Sequence, residues 1–187
     1  NRTDVDGVTI TITQSRSFVY QGTISINDQN EVKNYNGYEK IEGALVINGR
    51  ISTEELGNSL EEITDNLWLD YVHPDGLRKL KTIGGHLGVK RHSNETLEGL
   101  QNLEVVKGNL DIQSYVYNYR GLENLVEIGG DFIVSKHLES FEGLNNLERI
   151  GGRFVMDGTG GGTYNKLTSF QGLNKLKSIG EDFIVRC

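Results

Sequence analysis

The sequence predicts an all-β solenoid of about eight coils with an N-terminal cap, and three observations predict it. Close variants of one unit, LESFEGLNNLERIGGRFVM at 138–156, recur as LTSFQGLNKLKSIGEDFIV at 167–185 and, shortened, as GLENLVEIGGDFIV at 121–134. Within the unit the apolar slots come three apart and then, after the glycine pair, two apart; a spacing of two belongs to a strand with one face buried. The position just before each such strand falls at Gly22, Gly43, Asp65, Gly85, Gly108, Gly130, Gly152 and Glu181. Those intervals are about 22 residues, and only the last is longer.

The three-apart slots carry no sustained i, i+3, i+4, i+7 stripe, so they read as corners rather than a helix. Length and composition allow one domain, with residues 1–20 as a capping strand region and 21–187 as the repeat solenoid. The net charge of −7 and the lack of any basic run argue against phosphate-neutralising nucleic-acid binding and against an anionic membrane surface. No apolar run approaches the ~20 residues that span a bilayer, so no transmembrane segment is expected. The polar opening Asn1, Arg2, Thr3 and Asp4 has no leader pattern and leaves the compartment open. With Cys187 as the single cysteine, no intrachain disulfide can form, and an exposed terminal thiol is expected there, with a cross-link to another chain or a further segment as the alternative.

Taken in order, Val8 to Thr13 alternates apolar and threonine and, with Ser17 to Tyr20, reads as the cap over an otherwise open stack. Gly22 to Ile26 and Gly43 to Ile47 keep the strand of the unit, while Asn27 to Tyr38 replaces its corner with a solvated turn. That turn lacks the D-x-D-x-D-G order of a calcium loop. Ser52 to Thr64 is the best candidate for a helix, capped by Ser52 or Thr53 and shortened by Gly57. Pro74, the single proline, falls at a corner, where it removes no ladder hydrogen bond.

From Leu77 onward the repeats are regular, and Leu80, Leu103 and Leu125, like Ile83, Val106 and Ile128, should stack into interior columns. Glycine pairs such as Gly84-Gly85, Gly129-Gly130 and Gly151-Gly152 supply corners, through positive φ or close backbone approach. None has the G-x-G-x-x-G order of a dinucleotide site, and Gly158 to Gly162 lacks the Lys-Ser or Lys-Thr of a phosphate loop. The latter segment reads as an insertion loop.

The pattern L-x-x-L-x-x-I-x-G-x-L-x-I, seen in GLQNLEVVKGNLDI at 99–112 and in the turns after it, resembles the receptor L-domain family. The resemblance covers about Gly22 to Val185 and is closest in style to microbial cell-surface versions. It implies a single-stranded right-handed β-helix displayed at the cell surface or outside the cell, which binds a protein or carbohydrate and catalyses nothing. The paired end disulfides of the receptor versions have no counterpart in this chain.

Function is then sought on the outward positions. The residue between the two buried slots of each strand gives the column Ser25, Val46, Trp68, Gly88, Asp111, Ile133, Val155 and Ile184, of which five are apolar. A continuous apolar row marks an interaction surface, and Trp68 is its expected anchor. In SYVYNYRG at 114–121, alignment with the following turn makes Val116 and Tyr119 core and turns Tyr115 and Tyr117 outward as further ligand-binding candidates. The expected binding residues are therefore Val46, Trp68, Asp111, Ile133, Val155, Ile184, Tyr115 and Tyr117.

Acidic residues in the column after the strands, such as Asp70 and Asp157, are not paired on adjacent turns, which disfavours a polysaccharide-cleaving carboxylate pair. His73, His86, His92 and His137 have no metal-ligand spacing, so neither cofactor nor metal is expected. The sequence thus points to a non-enzymatic recognition module. Its rival is a structural spacer or self-association element of a surface protein.

Overall fold

The alternation after each glycine corner does make strands, and their stacking makes the fold. The computed structural model describes residues 2–3, 9–10, 18–90, 97–113, 116–135, 137–157 and 166–186. Sheet one is parallel and contains Ile24–Ile26, Leu45–Ser52, Leu67–His73, Leu87–Lys90, Leu110–Gln113, Phe132–Ile133, Phe154–Asp157 and Phe183–Arg186, in chain order from edge to edge. Sheet two is also parallel and is built from short strands just before each corner, from Val19–Gln21 through Lys40–Glu42 and Glu62–Ile63 to Ser178–Ile179.

Together the sheets form two sides of a β-solenoid with little helix. The first and last strand of each sheet have a neighbour on one side only, so the expectation of about eight coils becomes about six turns stacked on both sides. Val19–Gln21, expected in the cap, is instead the first strand of sheet two and pairs with Lys40–Glu42. Of the remaining cap segment, an antiparallel pair of Arg2–Thr3 with Thr9–Ile10 is described. Tyr115, His92, the glycine-rich segment 158–162 and Cys187 lie outside the described residues.

The third side explains the spacing of three. Leu122 N donates to Tyr119 O at 3.0 Å and Leu125 N to Leu122 O at 3.0 Å; Leu144 to Phe141 and Leu147 to Leu144 repeat the pattern one turn later. Each apolar slot therefore opens one tight turn and closes the one before, and all of Tyr119, Leu122, Leu125, Phe141, Leu144 and Leu147 are buried. Gly143, at φ +100°, sits where a Cβ would overlap the carbonyl oxygen of Tyr119 on the preceding turn. Gly151 needs no unusual φ, but a Cβ there would strike the Gly129 carbonyl. Close backbone approach therefore requires glycine at both positions, and Gly143 needs the positive φ as well.

Two expectations about the early turns are corrected. Residues 52–64 hold only a short 3-10 turn, Glu54–Leu56, closed by Gly57 at φ +80°, before the chain re-enters sheet two at Glu62–Ile63. Leu56, Leu60 and Ile63 all have to reach the core, and corners deliver them at this spacing. Thr53 caps nothing with its side chain; its hydroxyl donates to His73 O and accepts from Gly76 N, both at 2.9 Å, joining two rungs. Asn27 to Tyr38 is more than a solvated turn, because Gln29–Tyr35 is a 3-10 helix with an Asp28–Glu31 capping box and a fully buried Val32.

Core columns run the length of the stack. The first inward slot of sheet one is aliphatic from Ile24 to Leu110 and aromatic from Phe132 onward. Phe132 stacks on Phe154 at 5.2 Å between ring centroids, and Phe154 on Phe183 at 5.0 Å. Truncating such a ring removes its transfer energy and leaves a cavity. Phe154→Ala is expected to cost about 3–5 kcal/mol, whereas Val155→Ala, on the half-buried outer side of the same strand, should cost under about 1 kcal/mol. Urea melts of the two variants check this; equal losses would reverse the inside and outside of sheet one.

Candidate functional site

Because parallel rungs stack in register, the outward column becomes a physical row. Ser25 pairs with Val46, Val46 with Trp68, Trp68 with Gly88, Gly88 with Asp111, and the row continues through Ile133 and Val155 to Ile184. Ser25 is exposed, Gly88 is buried, and Val46, Trp68, Asp111, Ile133, Val155 and Ile184 are half-buried. The row is therefore a flat, packed face rather than a line of projecting side chains.

Trp68 and Gly88 interlock. A Cβ on Gly88 would collide with the six-membered ring of the Trp68 indole, so the space above Gly88 is filled by its neighbour's ring. The Lys90 ammonium lies 5.8 Å from the centroid of that ring, within the range of a cation–π contact. One rung further, Asp111 Oδ2 accepts from Gln113 Nε2 at 2.7 Å. Its Oδ1 is shielded from solvent and has no hydrogen-bond partner among the described residues. Two residues further along the strands, Asn48, Asp70, Lys90 and Gln113 form a parallel row of amide, carboxylate and ammonium groups on the same face, and Asp111 lies two rungs from Trp68 in its own row.

Beside this patch the sheet is irregular. The pairing of Leu45–Ser52 with Leu67–His73 shifts register between Asn48 and Ile51, and the exposed Tyr71 takes φ +60°. A bulky residue in the left-handed region is a genuine outlier, of the kind found at functional surfaces. The sequence reading missed Tyr71; nothing in its residue type favours that conformation. Tyr117, expected to join the site, is half-buried and lies beyond the strand Leu110–Gln113, where its carbonyl accepts from Glu139 N and Ser140 N on the third side. It is not in the register of the row. Val116 and Tyr119 are fully buried, and burial pushes the Tyr119 hydroxyl up from its ordinary value while that oxygen accepts from Ser135 N at 3.2 Å.

Polar ladders run along the corner before sheet one and along the third side before sheet two. At the corner, Asn66 Oδ1 accepts from His86 N, His86 Nδ1 from Asn109 N, Asn109 Oδ1 from Asp131 N, and Asp131 Oδ1 from Arg153 N, at 2.7–2.9 Å. Each side chain satisfies the amide of the equivalent residue on the next rung. On the third side, the Asn102, Asn124 and Asn146 amides donate to carbonyls of Arg78, Gln101 and Glu123 in the same rung-to-rung sense. They border a groove of about 290 Å³ lined also by Glu104, Val126, Glu148 and Lys175, but its amides are already spent holding the turns.

Sheet two presents the opposite chemistry. Lys40 bridges to Glu62 at 3.3 Å, Lys81 to Glu61 at 2.8 Å, Lys177 to Glu148 at 2.7 Å, and Arg149 to Glu127. These exposed pairs tie rung to rung and contribute little each. Among the described residues no three His, Cys, Asp or Glu side chains gather where they could hold a metal ion, and no helix is long and apolar enough to cross a membrane.

The chain matches no protein-family model, no curated protein and no solved structure. Its reading rests on its own residues.

Asp131 offers a test of the corner ladder. Hydrogen bonds from the Arg153 guanidinium and backbone amide hold its carboxyl below the usual carboxylate range. A depressed folded-state value contributes stability above the unfolded value of about 3.9, and that contribution is lost as pH falls through the folded value. Asp131→Asn is therefore expected to be less stable than the parent at neutral pH, with the gap closing below about pH 4. Denaturant melts across that range check it; a gap independent of pH would detach Asp131 from the effect.

Proposed function

We propose that this chain is a non-enzymatic recognition module, displayed at the cell surface or outside the cell, that binds a carbohydrate or protein ligand through the outer face of sheet one. In this reading it is a receptor L-domain-like, right-handed β-helix whose N-terminal region before Val19 caps the first rung. Parallel strands joined by crossovers within one sheet adopt that hand almost always. The cap is supported by Ile24 and Ile26, which are 1 % and 0 % exposed although their strand is an edge.

One observation carries the reading: Trp68 stands half-exposed on an ordered sheet face, held by Gly88 and Lys90, with hydrogen-bonding groups on the rungs around it. An indole offers a large rigid apolar surface at low entropic cost, and polar neighbours select orientation. Sugar rings present an apolar face edged by hydroxyls and fit that combination, which places carbohydrate ahead of protein as the ligand. Inward positions serve the core, and the described ion pairs join neighbouring rungs. A catalytic reading finds no comparable support. The spacer or self-association alternative would use the same apolar row to join copies of the chain.

Glycan-array and pull-down screens with the purified chain should identify a ligand. Trp68→Ala is then expected to weaken binding by about 2 kcal/mol or more, as for an interface anchor, which is roughly 30-fold in Kd, with the melting midpoint shifted far less than in Phe154→Ala. Undiminished binding by a folded Trp68→Ala would remove the face from consideration.

A further inference from the structure

Where neighbouring rungs bring a cation beside an acid, this fold pairs them: Lys40 with Glu62, Lys81 with Glu61, Arg153 with Asp131 and Lys177 with Glu148. Lys90 departs from that habit. Its register neighbour is Asp70, yet its ammonium lies over the Trp68 indole, 5.8 Å from the ring centroid, and it forms no ion pair among the described residues. Asp70 has an interaction of its own. On the next rung Lys90 is beside Gln113, whose amide is spent on Asp111 Oδ2. A cation–π contact holds the ammonium in place without neutralising it.

One side of the indole is covered by the backbone of the next rung, where a Cβ on Gly88 would overlap Cε3 and Cζ3. A ligand that stacks on the rest of the ring therefore meets the ammonium as well. A neutral sugar that pushes Lys90 aside costs it the cation–π contact and gives its charge nothing in return. A sugar bearing an anionic group stacks on the indole and pairs with the ammonium together.

We propose that the ligand of the sheet-one face is an anionic saccharide, carrying a uronic carboxylate or a sulfate, whose ring stacks on Trp68 while its anion pairs with Lys90. This rests on the reading of Trp68 as the anchor of that face and adds the charge of what the face selects. Lys90 is then a specificity-determining residue, which favours the charged sugar over a neutral one of the same shape. Its ammonium is a compact point charge with no fork to match, so carboxylate and sulfate both satisfy it.

A glycan array in matched forms tests this, with each uronic acid beside its methyl ester and each sulfated saccharide beside its unsulfated parent. The chain should retain acidic forms about tenfold more tightly than their neutral partners, as for a charged hydrogen bond. Lys90 is exposed, so its variants should melt like the parent. Lys90→Gln should abolish the preference, Lys90→Arg should keep it, and added salt should narrow it. Retention of uronates alone, or of sulfates alone, supports the proposal and names the anion. Neutral forms held as tightly as their acids, and both lost in Trp68→Ala, would overturn the proposal and leave the Trp68 reading standing. A preference that survives Lys90→Gln would overturn it by assigning the anion to another cation. A chain that retains no saccharide would overturn it together with the choice of carbohydrate as ligand.

Discussion

Everything in this protein follows from rungs lying in register on one another. In parallel pairing, neighbouring strands sit about 4.8 Å apart, so a residue's principal neighbour is the same position one turn away. Leu45 lies on Leu67, Leu67 on Leu87, Leu87 on Leu110, and each is fully buried by the others. A single turn has too little apolar area to exclude water from its own side chains; the stack supplies it. The same register decides where polar groups can go. Asn66, His86, Asn109 and Asp131 differ in type, yet each offers an acceptor to the amide directly above.

Much of this was legible in the sequence because periodicity encodes it. Alternation after Gly130, Gly152 and Glu181 gave the strands, and aligning Val116 and Tyr119 on Leu138 and Phe141 gave their burial, since one slipped residue would expose the whole set. Features that depend on a neighbouring rung were harder. The corner ladder joins residues with no common type, and the interlock of Trp68 with Gly88 needs both rungs known at once. The over-read helix at 52–64 came from local propensity, which the inward demand of Leu56, Leu60 and Ile63 overrides. The helix at Gln29–Tyr35 was missed although Asp28 and Glu31 write its capping box openly.

A stack of this kind divides its surface by chemistry. Sheet two exposes paired charges that tie one rung to the next, and the third side spends its asparagines on turn carbonyls. Sheet one alone combines apolar area, an aromatic anchor and polar groups with unused capacity, of which Asp111 Oδ1 is the clearest case. Burying that oxygen without a partner costs free energy, and the strained Tyr71 beside the same rungs adds to that cost. Asn58, away from sheet one, shows the same two features, with a buried Oδ1 that has no partner among the described residues and a φ of +49°.

The ends of the stack obey a different logic from its sides. A side can be finished by choosing polar residues for outward positions without disturbing the core, because inward and outward slots alternate independently. An end cannot, because the residues that face along the axis are the core residues themselves. Phe170 and Phe183 are exposed as members of aromatic columns that begin at Tyr119 and Phe132, and replacing them with polar groups would uncover Phe141 and Phe154. Every register-stacked fold must therefore terminate in a separate piece of structure or in another molecule. Burial along the columns follows from this rule: Phe141 and Phe154, each with a ring stacked on both sides, are 0 % and 1 % exposed, and each owes that to its neighbours rather than to its own turn.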